Sequence, residues 1–175
     1  DSATGAGKAA WKDIVPHSDS VFIEGVQPFD NYLAIEERSG GNKRLRLLGN
    51  DGKSSFVEAD EPAYSMGLST NAETATDWVR YTYNSLTTPT TTIEANMKTG
   101  ERRTLKVNPV PGYDKSKYMT ERVWATARDG TKVPVSLVYA KGFKKDGSAA
   151  LFQYAYGSYG YSTDPGFSPM LQIGR

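Results

Sequence analysis

The stretch "NYLAIEERSGGNKRLRLLGNDGK", residues 31–53, decides how the chain is read. It holds two short runs of alternating apolar and polar residues, each closed by turn formers, the pattern expected of antiparallel strands. Asn50-Asp51-Gly52 offers a tight turn in which glycine takes positive φ. Upstream lies "SVFIEGVQPFD" (residues 20–30) and downstream "SSFVEAD" (residues 54–60), giving four strand-like pieces in a row. The same order then recurs in "PAYSMGLSTNAETATD", "WVRYTYNSLTTP", "TTTIEANMKTGE" and "RRTLKVN", residues 62–108, with a second turn at Lys98-Thr99-Gly100. The two segments superpose with an offset of about 47 residues, which aligns Asp30 with Asp77 and falls within the ~40–50 residue period of propeller blades. Identity between them is poor, so the repeat lies in the spacing and order of strands and turns. An ordinary β-sandwich also spaces strands at ~8–12 residues and is the competing architecture.

The repeat ends at "NPVPGYDKSKY", residues 108–118, where Pro109, Pro111 and Gly112 interrupt the alternation and mark a linker or hinge. Beyond it, "YMTERVWATARDG" and "TKVPVSLVYAKG" predict a hairpin across Arg128-Asp129-Gly130. Gly147-Ser148-Ala149 reads as a surface turn. "LFQY", residues 151–154, predicts a third, more apolar strand of the kind found buried in a larger sheet. The last residues, Gln172 to Arg175, give no sign of closing a domain.

Composition narrows the function. The chain has 175 residues, is 38% hydrophobic and 23% charged, and carries a formal net charge of +1 with no cysteine. These are values for a globular protein, and near-neutral charge argues against nucleic acid or an anionic membrane as the main partner. No apolar run reaches the ~18 residues of a membrane span. The start, Asp1 to Gly5, lacks the basic and apolar regions of a signal peptide, so a cytoplasmic location is expected, with periplasmic or secreted as alternatives. His17 is the sole histidine and reads as a loop residue beside a turn; without paired His or Cys motifs, no metal or other cofactor is expected.

"YAYGSYGYS" (residues 154–162) raises the question of a nucleophile. A hydrolase elbow reads G-x-S-x-G; here Gly157 directly precedes Ser158 and Gly160 follows, one residue short. No well-placed base accompanies Ser158, so a Ser-His-Asp triad cannot be assembled from this chain. A neighbouring role is open to the tyrosines: a phenolic O–H at a glycine-rich turn can stabilise an oxyanion. Residue types alone leave Tyr154, Tyr156, Tyr159 and Tyr161 equally readable as packing residues.

"TERVWATARDGTKVPVSLVYAKG" (residues 120–142), followed by "YAYGSYGYSTDPGFSPM" (residues 154–170), resembles the domain junction of the prolyl oligopeptidase family of serine peptidases, above all its oligopeptidase B branch. "VFIEGVQPFDNYLAIEERSGGNKRLRL" (residues 21–47) is similar to the late propeller of the same enzymes. The resemblance implies a mainly β fragment: the last two blades or so of a β-propeller over residues 1–108, a hinge at 109–118, and the first strands of an α/β-hydrolase domain at 119–175. It implies that Tyr156, the second tyrosine of the family's Y-x-Y-G motif, donates to the oxyanion, supported by the turn of Gly157, Ser158 and Gly160. Ala155 stands where relatives often have glycine. The triad serine, aspartate and histidine are implied to lie downstream of Arg175, leaving the fragment alone inactive. Implied partners are peptides with basic residues, cleaved after Lys or Arg, and the remainder of the peptidase domain; an isolated fragment with open strand edges is expected to self-associate. The alternatives are a prolyl oligopeptidase or dipeptidyl-peptidase relative cleaving after proline, and a non-enzymatic binding module of propeller type.

Overall fold

A computed structural model describes residues 7–168. The expectations for Asp1 to Gly5, for Met170 and for Gln172 to Arg175 fall wholly or partly outside that range. The described residues form ten strands: β1 (Val21–Pro28), β2 (Tyr32–Ser39), β3 (Asn42–Gly49), β4 (Ser54–Phe56), β5 (Tyr64–Leu68), β6 (Trp78–Ser85), β7 (Thr91–Asn96), β8 (Arg102–Val107), β9 (Tyr118–Thr126) and β10 (Lys132–Ala140). β1–β4 and β5–β8 form two antiparallel meanders of four strands each, joined where Lys43 of β3 meets Ser65 of β5 in a parallel bridge. β2 begins at Tyr32 and β6 at Trp78, so the structure carries the element-level repeat read from the sequence.

Turn chemistry sets the register. Gly40 and Gly41, with φ of 55° and 84°, close β2 onto β3 so that Ser39 faces Asn42. Two successive positive φ values match the right-handed strand twist, and glycine adopts them without a Cβ penalty. Behind the expected turns, Gly52 N donates to Gly49 O at 2.9 Å and Gly100 N to Asn96 O at 2.8 Å.

The core lies between the meanders. Leu45 and Leu47 of β3, Met66 of β5, Val79, Tyr81 and Tyr83 of β6, and Ile93 and Ala95 of β7 form one buried cluster with Ala34 of β2. Residues 79, 81 and 83 alternate with more exposed neighbours, as a strand with one covered face requires. Each large side chain so buried contributes about 1.5–3 kcal/mol. Two buried carboxylates are paired with arginines. Glu37, fully buried, accepts from Arg44 Nε at 2.7 Å and Arg46 Nε at 2.8 Å. In the second meander, Glu94 accepts from Arg80 at 2.7 Å and Arg103 at 2.6 Å. Those two guanidiniums hold the Glu94 carboxyl below the usual range, Arg80 foremost.

The segment between β8 and β9 is fastened to the second meander. Tyr113 donates to Thr87 O at 2.7 Å, and Lys115 Nζ lies 2.7 Å from Thr88 Oγ1 and 3.4 Å from Glu61. Burial pushes Glu61 up, yet the hydroxyls of Ser85, Thr87 and Thr88 outweigh it and hold the carboxylate low. Burial pushes the Tyr113 phenol up to about 12.

β9 and β10 pair in full register from Tyr118↔Ala140 to Thr126↔Lys132 across the predicted Gly130 turn. Two expectations need correction. Residues 151–154 form no strand: Leu151 and Phe152 are 80% and 71% exposed, and β9–β10 is a sheet of two. An apolar run becomes a strand only where a neighbour satisfies its backbone, and β10 supplies none to it. Among the described residues there is no α-helix and no α/β-hydrolase fold is formed.

Candidate active site

Every residue from 141 to 163 is exposed, so the turn that carries Tyr156, Gly157, Ser158 and Gly160 stands clear of the sheets. Tyr159 and Gly160, with φ of 57° and 70°, reverse the chain, and Tyr161 N closes the turn on Ser158 O at 3.1 Å. The Tyr156 ring, 48% exposed, meets Tyr161 edge-on at 5.6 Å between centroids. Its carbonyl accepts from Thr163 Oγ1 at 3.3 Å. The turn is therefore internally braced, and it presents a phenol, a neutral donor of the kind an oxyanion needs. A Cβ on Gly157 would meet nothing within 4 Å among the described residues, so none of them demands glycine there. Gly147, with φ of 79°, and Ser148, whose amide donates to Asp146 at 3.0 Å, form the expected surface turn.

His17 does not serve Ser158. It pairs with Asp19 at 3.0 Å on an exposed loop. That loop borders an open groove of about 1030 Å3 whose other wall includes Arg38, Arg44, Arg46 and Phe56; neither Tyr156 nor Ser158 lines it.

Residues that sequence reasoning missed lie where the turn rejoins the body. Asp164 accepts from Arg38 Nη1 at 2.6 Å and Nη2 at 3.3 Å, a two-pronged grip. Arg38 Nε also donates to Glu24 at 2.8 Å. Lys43 Nζ sits 2.5 Å from Glu24, 3.5 Å from Glu36 and 3.9 Å from Asp164. The Asp164 hydrogen bond raises the Arg38 pKa. Burial pushes Glu24 up, but Lys43 and Arg38 more than offset it and leave its carboxyl low. No spacing rule connects positions 126 residues apart, and β2 alone gives only the unremarkable run Glu36-Glu37-Arg38.

Two successive four-stranded antiparallel meanders are the layout of propeller blades. Residues 3–108 match the family described as prolyl oligopeptidase, N-terminal beta-propeller domain, and the chain belongs to that family. It is 62% identical over 159 residues to dipeptidyl aminopeptidase BI of Pseudoxanthomonas mexicana, covering 90% of this chain and 22% of the relative. Protease 2 of Moraxella lacunata is 37% identical over 158 residues, 90% of this chain and 23% of that protein. The closed form of Trypanosoma brucei oligopeptidase B with covalently bound antipain superposes with a TM-score of 0.75 at 32% identity, covering 89% of this chain and 23% of that one. The chain thus spans less than a quarter of the length of these relatives.

Proposed function

We propose that this chain is part of a serine oligopeptidase of the oligopeptidase B type. In this reading residues 1–108 supply about two blades of the propeller, 109–118 the hinge, and 119–175 the entry into the peptidase domain. The propeller limits access to short peptides. The catalytic serine, aspartate and histidine reside in the remainder of the parent protein and attack the peptide bond after Lys or Arg through an acyl-enzyme. Tyr156 donates its hydroxyl to the oxyanion formed on the scissile carbonyl, a contact worth about 3–4 kcal/mol in the transition state. The observation that carries the reading is the continuity of a propeller-family segment with the Tyr154-Ala155-Tyr156-Gly157 turn in a chain aligned over 90% of its length with Protease 2.

A second reading, release of dipeptides from a free N-terminus, is favoured by the 62% identity to a dipeptidyl aminopeptidase. Paired fluorogenic peptides separate the two in the full-length protein. Cleavage of an N-terminally blocked Arg substrate supports the endopeptidase; turnover confined to substrates with a free amine two residues before the bond supports dipeptide release. A preference for Pro over Arg at the cleaved position contradicts basic specificity. Absence of turnover and of labelling by a serine-directed phosphonate overturns the peptidase reading and leaves a binding module.

A further inference from the structure

We propose that the Arg38–Asp164 ion pair is a latch that positions Tyr156, holding the tyrosine turn against β2 so that the sheet sets where the phenol stands. The inference rests on the reading of Tyr156 as oxyanion donor.

Burial resumes only at Asp164 and Pro165 after the exposed stretch 141–163. Asp164 is therefore where the turn meets the sheets, and it meets them through a guanidinium fork whose two prongs fix orientation as well as distance. Arg38 is itself held from the opposite side by Glu24, so it cannot swing to follow Asp164. Lys43 steadies Glu24 in turn. Three residues beyond Asp164, the turn has a second anchor: the Phe167 ring meets Tyr113 edge-on at 4.8 Å, and Tyr113 is tied to Thr87.

From Asp164 the restraint passes to Tyr156 in two short steps. Thr163, adjacent to Asp164, donates from its hydroxyl to the Tyr156 carbonyl, and Tyr161 packs edge-on against the Tyr156 ring. The turn is braced within itself and held to the body at its C-terminal root, so moving Asp164 moves the phenol as a unit. The Arg38 and Asp164 side chains are 17% and 30% accessible. An oxyanion donor loses much of its effect when misplaced by an ångström. Arg38 and Asp164 act through Tyr156 and need not touch the peptide.

The test is a double-mutant cycle in the full-length peptidase, combining Asp164→Asn with Tyr156→Phe. Asp164→Asn keeps shape and removes the charge that Arg38 grips. The latch predicts about a tenfold fall in kcat with KM changed less than about twofold, and less than a twofold further fall when phenylalanine already stands at 156. An equal loss in both backgrounds, or no loss in the native background, overturns the latch while leaving the oxyanion reading in place. Wild-type turnover by Tyr156→Phe alone overturns the oxyanion reading and the latch with it. If Asp164→Asn lowers the thermal midpoint enough to suggest misfolding, Arg38→Lys supplies the same cycle, because lysine keeps the charge and loses the fork.

Discussion

The two meanders and the exposed stretch 141–163 use similar side chains to opposite ends. In β6, Tyr81 and Tyr83 are enclosed by Leu45, Met66 and Ile93, and their backbone is paired on both sides. In the tyrosine turn, Tyr154, Tyr156, Tyr159 and Tyr161 face solvent, and their segment has no strand neighbour. The first region is stable through contacts made within the chain. The second is held to the body at its two ends, by Lys145 on Glu121 at one and by Asp164 and Phe167 at the other. Stability and the proposed chemistry are thus assigned to different places, a division common where a rigid scaffold carries a functional loop.

The sharpest break of this comparison is Tyr81→Ala, which empties a fully buried site and should cost about 3–5 kcal/mol, read by urea unfolding at fixed protein concentration. Glu37→Ala comes next. It leaves Arg44 and Arg46 facing each other without the buried carboxylate between them, for a loss of about 3 kcal/mol. Glu94 gives a smaller, pH-dependent effect. Its pKa is depressed in the folded state, so its contribution is present above the unfolded value near ~4.3 and disappears as pH falls through the folded value. Glu94→Gln should therefore be less stable than wild type at neutral pH, and the gap should close on acidification; a gap constant with pH would contradict the ion pairs. Smallest of all, Leu151→Ala should shift stability by less than about 0.5 kcal/mol despite removing a leucine, because the side chain is already in water.

The exposed edges carry a consequence for the isolated chain. β1 ends the sheet with Phe22 and Val26 exposed, and Leu151 and Phe152 add apolar surface. The 175-residue chain alone is expected to self-associate and to lack peptidase activity, measured by light scattering and peptide turnover; an inert monomer contradicts the first, serine-dependent turnover the second.

What the sequence made legible was local. Glycines at 52, 100 and 130 announce their turns because positive φ is needed there, and alternation in residues 31–49 and 78–85 announces a covered face. The expected strand at 151–154 failed because apolar composition states what a segment would bury, while the partner strand it would pair with must come from elsewhere in space. Arg38 and Asp164 were invisible for a related reason: an ion pair between distant segments leaves no periodicity. Gly157 was legible as a turn residue, yet nothing among the described residues crowds it.

The central claim, that the tyrosine turn serves a serine peptidase, is tested most directly by Tyr156→Phe in the full-length protein, assayed on a blocked Arg peptide and on a free-amine dipeptidyl substrate. The expected result is kcat lowered about 10²–10³-fold on whichever substrate the native enzyme turns over, with KM little changed. An unchanged kcat would remove Tyr156 from the oxyanion site and contradict it.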